Sequence, residues 1–136
     1  MPKAEIVIRN VATVDEEPIA SLTTPGDQGW AREMITSQIN GSPDLYVSVF
    51  RMDPGQYHPL HAHPNVGELY FVLEGRCELR IGDRCEWVEA GTAAYMPRSV
   101  PHSVRTTDSG VAILVTFPEG DLNKVEKVWI ESPHQT

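Results

Sequence analysis

Turn signals recur at short intervals along the chain and separate apolar runs of strand length. Asn40-Gly41-Ser42-Pro43 and Gly82-Asp83 are two of these signals, and residues 45–52 and 111–117 are two of the runs. Short strands separated by turns about every 8 to 12 residues are typical of an all-β sandwich or barrel. A chain of 136 residues has room for about one domain. We therefore expect one all-β domain covering residues 1–136.

Four segments carry weaker signals. Residues 30–39 predict a strand, because the middle of this segment is mostly poor helix-forming sequence. The first ten residues predict another strand. Residues 121–127 begin with an acidic cap, which favours one turn of helix. The last six residues, 131–136, form a short polar tail in which we expect His134 to be disordered.

Composition and charge exclude several classes of protein. The chain has 11 Lys and Arg against 19 Asp and Glu, a net charge of −8, so it lacks the basic face that nucleic-acid binding requires. No apolar run is long enough for a signal peptide or a membrane span. Two cysteines do not make a disulfide scaffold. We expect a soluble, cytoplasmic protein with no nucleic-acid or membrane partner.

The histidines concentrate in the middle third of the chain. His61 and His63 are two residues apart on a predicted strand, so their imidazoles project from the same face. Residues 64–67 form a turn, and Glu68 opens the next strand, where an antiparallel neighbour would set its carboxylate opposite both rings. His102 could complete the group from a third strand. Three imidazoles and one carboxylate suit one divalent ion such as Fe, Mn, Ni or Zn.

These residues fall in two motifs that resemble those of the cupin superfamily. The first motif covers residues 55–75 and reads Gly55-(x)5-His61-x-His63-(x)4-Glu68-(x)6-Gly75. The second covers residues 91–106 and reads Gly91-(x)5-Pro97-x-Ser99-(x)2-His102. Its serine stands where a glycine is usual, and Thr106 stands where an older form of the motif has asparagine. The spacer between the motifs is short, as in small single-domain cupins.

The resemblance implies a single-domain cupin barrel, also called a double-stranded β-helix or jelly roll, with a metal held by His61, His63, Glu68 and His102. It permits dioxygenases, decarboxylases, isomerases, lyases and cyclases. We favour a dioxygenase acting on a small carbonyl, enol or phenol compound. The alternatives are a non-redox isomerase, lyase or decarboxylase, and a small-ligand binding or sensing module without catalysis. Two alternatives to a metal site stay open. Histidines on a strand are often only polar surface residues, and a cupin barrel can lose its metal and keep a polar cavity that binds a ligand directly.

Two further residues are candidates for catalysis. Tyr70 has the same strand parity as Glu68, so it should line the cavity, either as a packing residue or as a catalyst. His58 could be an acid or base at the cavity mouth, a partner of the metal ligands, or an exposed residue between turns. Its ordinary pKa lies near 6.5, so it could titrate at cellular pH.

Leu69, Phe71 and Leu73 have the opposite parity and form an apolar face that must be covered. In the cupin resemblance this face packs against the second sheet or a partner subunit, which predicts a homodimer.

Cys77 and Cys85 lie on the two arms of a predicted hairpin around Gly82-Asp83. A two-residue loop pairs Cys77 with Val88 and Cys85 with Arg80, which places the two thiols on opposite faces. We expect two free core cysteines.

Overall fold

The computed structural model describes residues 3–133, and its regular structure is almost entirely β. The strands are β1 (Glu17–Pro18), β2 (Trp30–Ile35), β3 (Tyr46–Met52), β4 (Tyr57–Ala62), β5 (Glu68–Ile81), β6 (Arg84–Glu89), β7 (Ala93–Met96), β8 (His102–Arg105), β9 (Val111–Phe117) and β10 (Val128–Trp129). The helical elements are α1 (Ser37–Asn40) and the 3₁₀ turns Val11–Thr13, Ile19–Ser21 and Leu122–Lys124. None of these helices is long and apolar enough to cross a membrane. The all-β prediction is confirmed.

The strands form two antiparallel layers that share the long strand β5. One layer has the order β1-β2-β3-β9-β5, with β7 on the other side of β5. The other has the order β5-β8-β4-β10, with β6 also paired to β5. The first half of β5 belongs to one layer and its second half to the other, so the sheet curls around a common interior.

A glycine allows β5 to pass from one layer to the other. Gly75 has a φ of 74°, which L-residues rarely adopt. A Cβ atom at this position would lie 2.0 Å from the carbonyl oxygen of Gly110, so the neighbouring backbone leaves no space for a side chain. The curl of the sheet therefore depends on the missing side chain at residue 75.

The core lies between the layers because their strands alternate. In β3 and β9 every second residue is buried, beginning with Tyr46 and Val111. Met52 and Ile113 from one layer and Val104 from the other are at most 1% exposed. Burial of an aliphatic side chain of this size contributes about 1.5–3 kcal/mol each, so the two inward faces hold the layers together.

The weaker sequence signals have mixed outcomes. Residues 30–35 form the predicted strand, but Thr36 then caps α1 by accepting a hydrogen bond from the backbone N of Ile39 at 3.0 Å. The predicted turn of helix at 121–127 is present as Leu122–Lys124. The strand predicted for the first ten residues is wrong, since residues 3–10 form no regular structure and Ile6 and Ile8 are 96% and 94% exposed. The three apolar residues at positions 6–8 favour an extended backbone, but a β-strand also requires a neighbouring strand with which to pair.

The predicted tail is partly described. The backbone N of Glu131 donates to the carbonyl of Leu60 at 3.0 Å, so the tail begins against β4. His134 lies outside the described residues.

The hairpin register is confirmed, because Cys77 pairs with Val88 and Cys85 pairs with Arg80. Both thiols are free. Cys77 is fully buried, and burial raises its pKa to about 11. The prediction of a core position is wrong for Cys85, which is exposed because it lies on the outer face of the ribbon.

We predict that Gly75→Ala lowers the free energy of unfolding by about 3 kcal/mol or more, because it adds a backbone clash to the strain of a left-handed φ. Gly91→Ala is the matched control, since Gly91 has a φ of 93° but no atom within 4 Å of the point where a Cβ would lie. Urea unfolding followed by circular dichroism measures both. Equal destabilisation of the two variants would contradict the steric argument.

Candidate metal centre

Four buried side chains meet inside the curled sheet. They come from the end of β4 and the residue after it, the start of β5, and the start of β8. Each offers one ligand atom, and these atoms all lie within 4.8 Å of one another; the residues are His61, His63, Glu68 and His102. None of the four is more than 4% exposed. The structure thus brings together the group that the sequence singled out.

The strand pairing of the site differs from the prediction. β4 does not pair with β5; it pairs with β8 and β10, with His61 directly opposite His102. Glu68 lies in the other layer, opposite Met96 of β7. The expected β4–β5 pairing is therefore wrong, because the turn at residues 64–67 carries the chain between layers instead of closing a hairpin. The carboxylate still faces the imidazoles, since both layers point these residues inward.

An irregularity in β4 aims its histidines. The pairing of β4 with β8 shifts between His58 and His61, and every residue from His58 to His63 is buried. A regular strand would turn alternate residues outward, whereas a register shift re-aims side chains. His58, His61 and His63 thereby point into the same interior.

The two departures from the second motif do not disturb the loop before His102. Ser99 adopts a φ of 67°, the conformation that a glycine takes easily, and its backbone N donates to the carbonyl of His63 at 2.9 Å. Thr106 is 2% exposed, and its hydroxyl donates to the carbonyl of Asp53 at 2.6 Å. The serine keeps the glycine geometry, and the threonine joins the end of the second motif to the start of the first.

The backbone sets the tautomer of each ligand histidine. Nδ1 lies 2.7 Å from the Pro59 carbonyl in His61, 2.9 Å from the Glu126 carbonyl in His63, and 3.3 Å from the Val100 carbonyl in His102. A carbonyl oxygen only accepts, so we infer that each Nδ1 carries the proton. In neutral rings this leaves the Nε2 lone pairs free, which is the arrangement that metal-binding histidines use.

Two of the converging atoms lack a hydrogen-bond partner. Oε1 of Glu68 and Nε2 of His102 are both buried and unpartnered, although only 2.8 Å separates them. Nε2 of His63 lies 3.4 Å from the same oxygen. With the inferred tautomers these are lone pairs facing one another, an arrangement that costs energy unless a cation lies between them. The donor set therefore fits a divalent transition-metal ion.

The protonation states also suit a metal. Burial alone would raise the pKa of Glu68, but when the facing imidazoles of His102 and His63 carry a proton on Nε2, their hydrogen bonds and charge lower that pKa to about 2. A metal cation in the place of those protons acts in the same direction. Burial lowers the pKa of His61 well below its ordinary value, with nearby His58 adding to the effect. A charged carboxylate and a neutral imidazole are the forms that bind metal ions.

His58 is paired with an acid that the sequence analysis missed. Its Nδ1 lies 2.8 Å from Oδ1 of Asp27, and the other carboxylate oxygen of Asp27 accepts from the hydroxyl of Thr23 at 2.7 Å. His58 is 6% exposed, so the exposed alternative is wrong. Burial lowers the pKa of His58, and Asp27 opposes that shift. Asp27 lies 31 residues before His58 in a loop, and no local pattern marked it as a partner.

Tyr70 lines the same cavity, as its parity predicts. It is 2% exposed, and its ring centroid lies 5.8 Å from that of His102. Burial raises the pKa of Tyr70 well above its ordinary value, and the charge of Glu68 adds to the effect. Its hydroxyl is therefore neutral and can donate a proton or a hydrogen bond.

Three residues of the metal cluster, His61, His63 and Glu68, line a cavity of about 250 Å³. The remaining wall is largely apolar and includes Phe50, Val115, Phe117, Leu122 and Val125. This volume lies just below the usual range for ligand sites, about 300–1,000 Å³, so the cavity suits only a small organic molecule.

A family model of the cupin domain matches residues 48–118, slightly more than half of the chain. The chain belongs to the cupin family. All four residues of the cluster lie within the matched segment. The family expected from the two motifs is thereby confirmed.

Curated relatives of this cupin include a decarboxylase and a germin-like protein. Oxalate decarboxylase OxdC of Bacillus subtilis (strain 168) is 27% identical over 101 residues, which cover 71% of this chain and 26% of that protein. Germin-like protein 1-1 of Oryza sativa subsp. japonica is 27% identical over 128 residues, which cover 85% of this chain and 59% of that protein. The chain thus spans about a quarter of the length of OxdC and over half of the germin-like protein.

Solved structures confirm the double-stranded β-helix fold. The polyketide cyclase RemF from Streptomyces resistomycificus has a TM-score of 0.74 and 26% identity, with 84% of this chain and 80% of that chain covered. The DMSP lyase DddQ from Ruegeria pomeroyi DSS-3 has a TM-score of 0.68 and 26% identity, with 88% and 62% covered. A double-stranded β-helix protein from Klebsiella pneumoniae, 18% identical, has a TM-score of 0.70, with 94% and 100% covered.

We predict that wild-type protein purified without added metal retains one divalent ion per chain, and that His61→Ala and His102→Ala each reduce the retained metal at least about tenfold. Each substitution removes one Nε2 ligand. His58→Ala is the control, because His58 is not part of the cluster and should leave the metal content unchanged. Elemental analysis of the purified proteins measures the ion. Equal metal content in all four proteins would contradict the ligand assignment.

Proposed function

We propose that this cupin is a cytoplasmic, metal-dependent enzyme that acts on a small organic molecule. One Fe, Mn, Ni or Zn ion would be held by His61, His63, Glu68 and His102. The observation that carries the proposal is the pair of buried, unpartnered atoms on Glu68 and His102, which face each other at 2.8 Å beside a small cavity. When bound, the ion supplies Lewis-acid or redox chemistry to oxygen atoms of the substrate.

His58 and Tyr70 are the groups of this chain that we propose for proton transfer. Asp27 holds Nδ1 of His58, which leaves Nε2 of the neutral ring to accept a proton. Tyr70 stays neutral, so its hydroxyl can donate. The apolar wall excludes water from both groups, which strengthens their interaction with a bound substrate.

Among the reactions open to a cupin, we favour dioxygenation of a small carbonyl, enol or phenol compound. The largely apolar wall suits the carbon skeleton of such a compound, and its oxygen atoms would face the metal end of the cavity. The second candidate is a non-redox isomerase, lyase or decarboxylase. The buried Asp27–His58 pair favours it, because such reactions require a positioned acid or base.

Oxygen dependence tests the choice between these reactions. Iron-loaded and zinc-loaded proteins are supplied with a panel of small diketones, enols and phenols, and turnover is followed with and without air. A dioxygenase consumes oxygen and stops under strict anaerobiosis. Turnover by the zinc-loaded protein without oxygen would eliminate the dioxygenase proposal and support the second candidate.

Glu68→Gln distinguishes an enzyme from a sensing module. The amide has the size of the carboxylate but no charge, so it weakens the hold on a divalent cation. We predict loss of the metal or a fall in turnover of at least about 100-fold, given that even outer-shell partners of a metal contribute about 10–100-fold. Ligand binding by calorimetry accompanies the rate measurement. A variant that keeps full ligand affinity, where the wild type shows no turnover on any compound, would favour a sensor.

We also propose a homodimer formed through the outer face of the layer that contains β7. Leu69, Phe71 and Leu73 point outward there and are 38%, 37% and 41% exposed. Phe71 pairs with Leu114 on β9, which in turn pairs with Val49 on β3, so an apolar row crosses three strands. A second copy of this chain would cover that row.

Phe71→Glu tests the dimer, because it places a charge at the β5 end of the apolar row, between the exposed side chains of Leu69 and Leu73. We predict that the wild type sediments as a dimer and the variant as a monomer with an unchanged circular dichroism spectrum. Trp87→Glu is the control, since Trp87 is 44% exposed on β6 in the other layer. A monomeric wild type, or a dimeric Phe71→Glu variant, would contradict the proposed interface.

A further inference from the structure

The cavity contains one charged group that the proposed chemistry does not use, the ammonium of Lys127. Lys127 directly precedes β10, in which Trp129 lies opposite His61. Residues opposite each other in an antiparallel pair share a face, and so do residues two apart along a strand. The register therefore places Lys127 on the face that carries the metal cluster, and its side chain lines the cavity beside His61 and His63.

Aromatic contacts hold the ammonium close to the cluster. Nζ of Lys127 lies 4.6 Å from the centroid of the Trp129 ring. The same ring lies 5.2 Å, centroid to centroid, from His61. A cation is attracted to the face of an indole, which positions the side chain without neutralising its charge.

Within residues 3–133, no carboxylate lies within the 4.0 Å ion-pair distance of Lys127. The two buried acids of this region already have partners: Asp27 pairs with His58 and Thr23, and Glu68 faces the ligand histidines. Burial lowers the pKa of Lys127, which is the sign of a charge partly removed from water. A partly desolvated ammonium without a counter-ion is costly unless something negative joins it.

The charges of the loaded site leave room for one anion. Asp27 and Glu68 carry two negative charges, whereas a divalent ion and Lys127 together carry three positive ones. The ligand histidines would each bind the ion through Nε2 and keep their one proton on Nδ1, facing the carbonyls, so they add no charge. The loaded cavity would therefore have an excess of one positive charge, which a monoanion neutralises.

We infer that Lys127 binds a carboxylate group of the substrate, so that this cupin takes small carboxylate-bearing molecules and Lys127 selects them over their uncharged analogues. The inference rests on the proposed metal-dependent function, because the carboxylate would lie in the same cavity as the ion. Lys127 acts here as a specificity residue. Its charge orients the substrate, and the metal end of the cavity receives the remainder of the molecule.

The test uses two pairs of probes that differ mainly in charge: benzoate with benzamide, and acetate with acetamide. Calorimetry measures their binding to zinc-loaded wild type, Lys127→Met and Lys127→Arg. Methionine keeps much of the side chain's length without the charge, and arginine keeps the charge. Lys124→Met is the matched control, because Lys124 is an exposed lysine three residues away.

We expect Lys127→Met to lose at least about tenfold in affinity for benzoate or acetate, because the substitution removes a charge-assisted hydrogen bond to the carboxylate. Binding of the amides should not change. Lys127→Arg should bind the carboxylates within about threefold of wild type, and Lys124→Met should match wild type. A merely structural role of Lys127 on Trp129 would lower carboxylate and amide binding together, and that result would overturn the inference.

The zinc content of each sample separates the two proposals. Wild type that retains no zinc contradicts the metal-dependent function. Zinc-loaded wild type that binds neither carboxylate, or a zinc-loaded Lys127→Met variant that binds both as wild type does, overturns the role of Lys127 alone. If Lys127→Met does not fold, Lys127→Gln is measured with the same four probes and the same criteria.

Discussion

The structure depends on four ligand atoms that come from opposite layers and are buried together. Glu68 opens a strand of one layer, whereas His61 and His102 pair with each other in the second. An oxygen and a nitrogen that both offer lone pairs cannot remain 2.8 Å apart in a dry interior without cost. A divalent ion would remove the repulsion between these lone pairs, and its bonds to both atoms would link the two layers. Folding and metal binding are then coupled, because a ligand that binds only the folded chain stabilises it.

The position of the four ligand side chains also depends on the conformation of the backbone at two residues. Gly75 lets one strand serve both layers, and Ser99 takes a left-handed φ while its backbone N bonds to the carbonyl of His63. Strain of this kind costs about 1–3 kcal/mol and persists only where the surroundings impose it. Here it holds the loop before His102 against the end of β4. The left-handed conformation of Gly75, which costs a glycine little, and the strained conformation of Ser99 thus position β5 and the loop before His102.

Local patterns predicted what depends on spacing and missed what depends on tertiary pairing. The parity of β5 correctly separated Tyr70 from Leu69, and the two-residue loop gave the correct partner of Cys77. The turn at residues 64–67 was predicted, but its sequence does not show which strands it connects. A short turn can join two strands of a hairpin or carry the chain from one layer to the other, and this depends on the tertiary fold. Asp27 contacts His58 from a loop, and Lys127 reaches the cavity from the approach to a two-residue strand. Segments so short carry no periodicity, so nothing in the sequence marked them.

The location of Lys127 also reconciles an acidic protein with the anionic substrate proposed for it. The net charge of −8 repels anions at long range, but salt screens exposed charges beyond about 8 Å at physiological ionic strength. Inside the cavity the local groups dominate, because burial reduces screening and strengthens each interaction. The surface charge therefore influences how fast an anion arrives, and Lys127 with the metal would determine whether it stays. A neutral molecule of the same shape is not repelled by the acidic surface, but it also forms no ion pair with Lys127. Selectivity for the anion therefore arises only inside the cavity, after the ligand has lost its water.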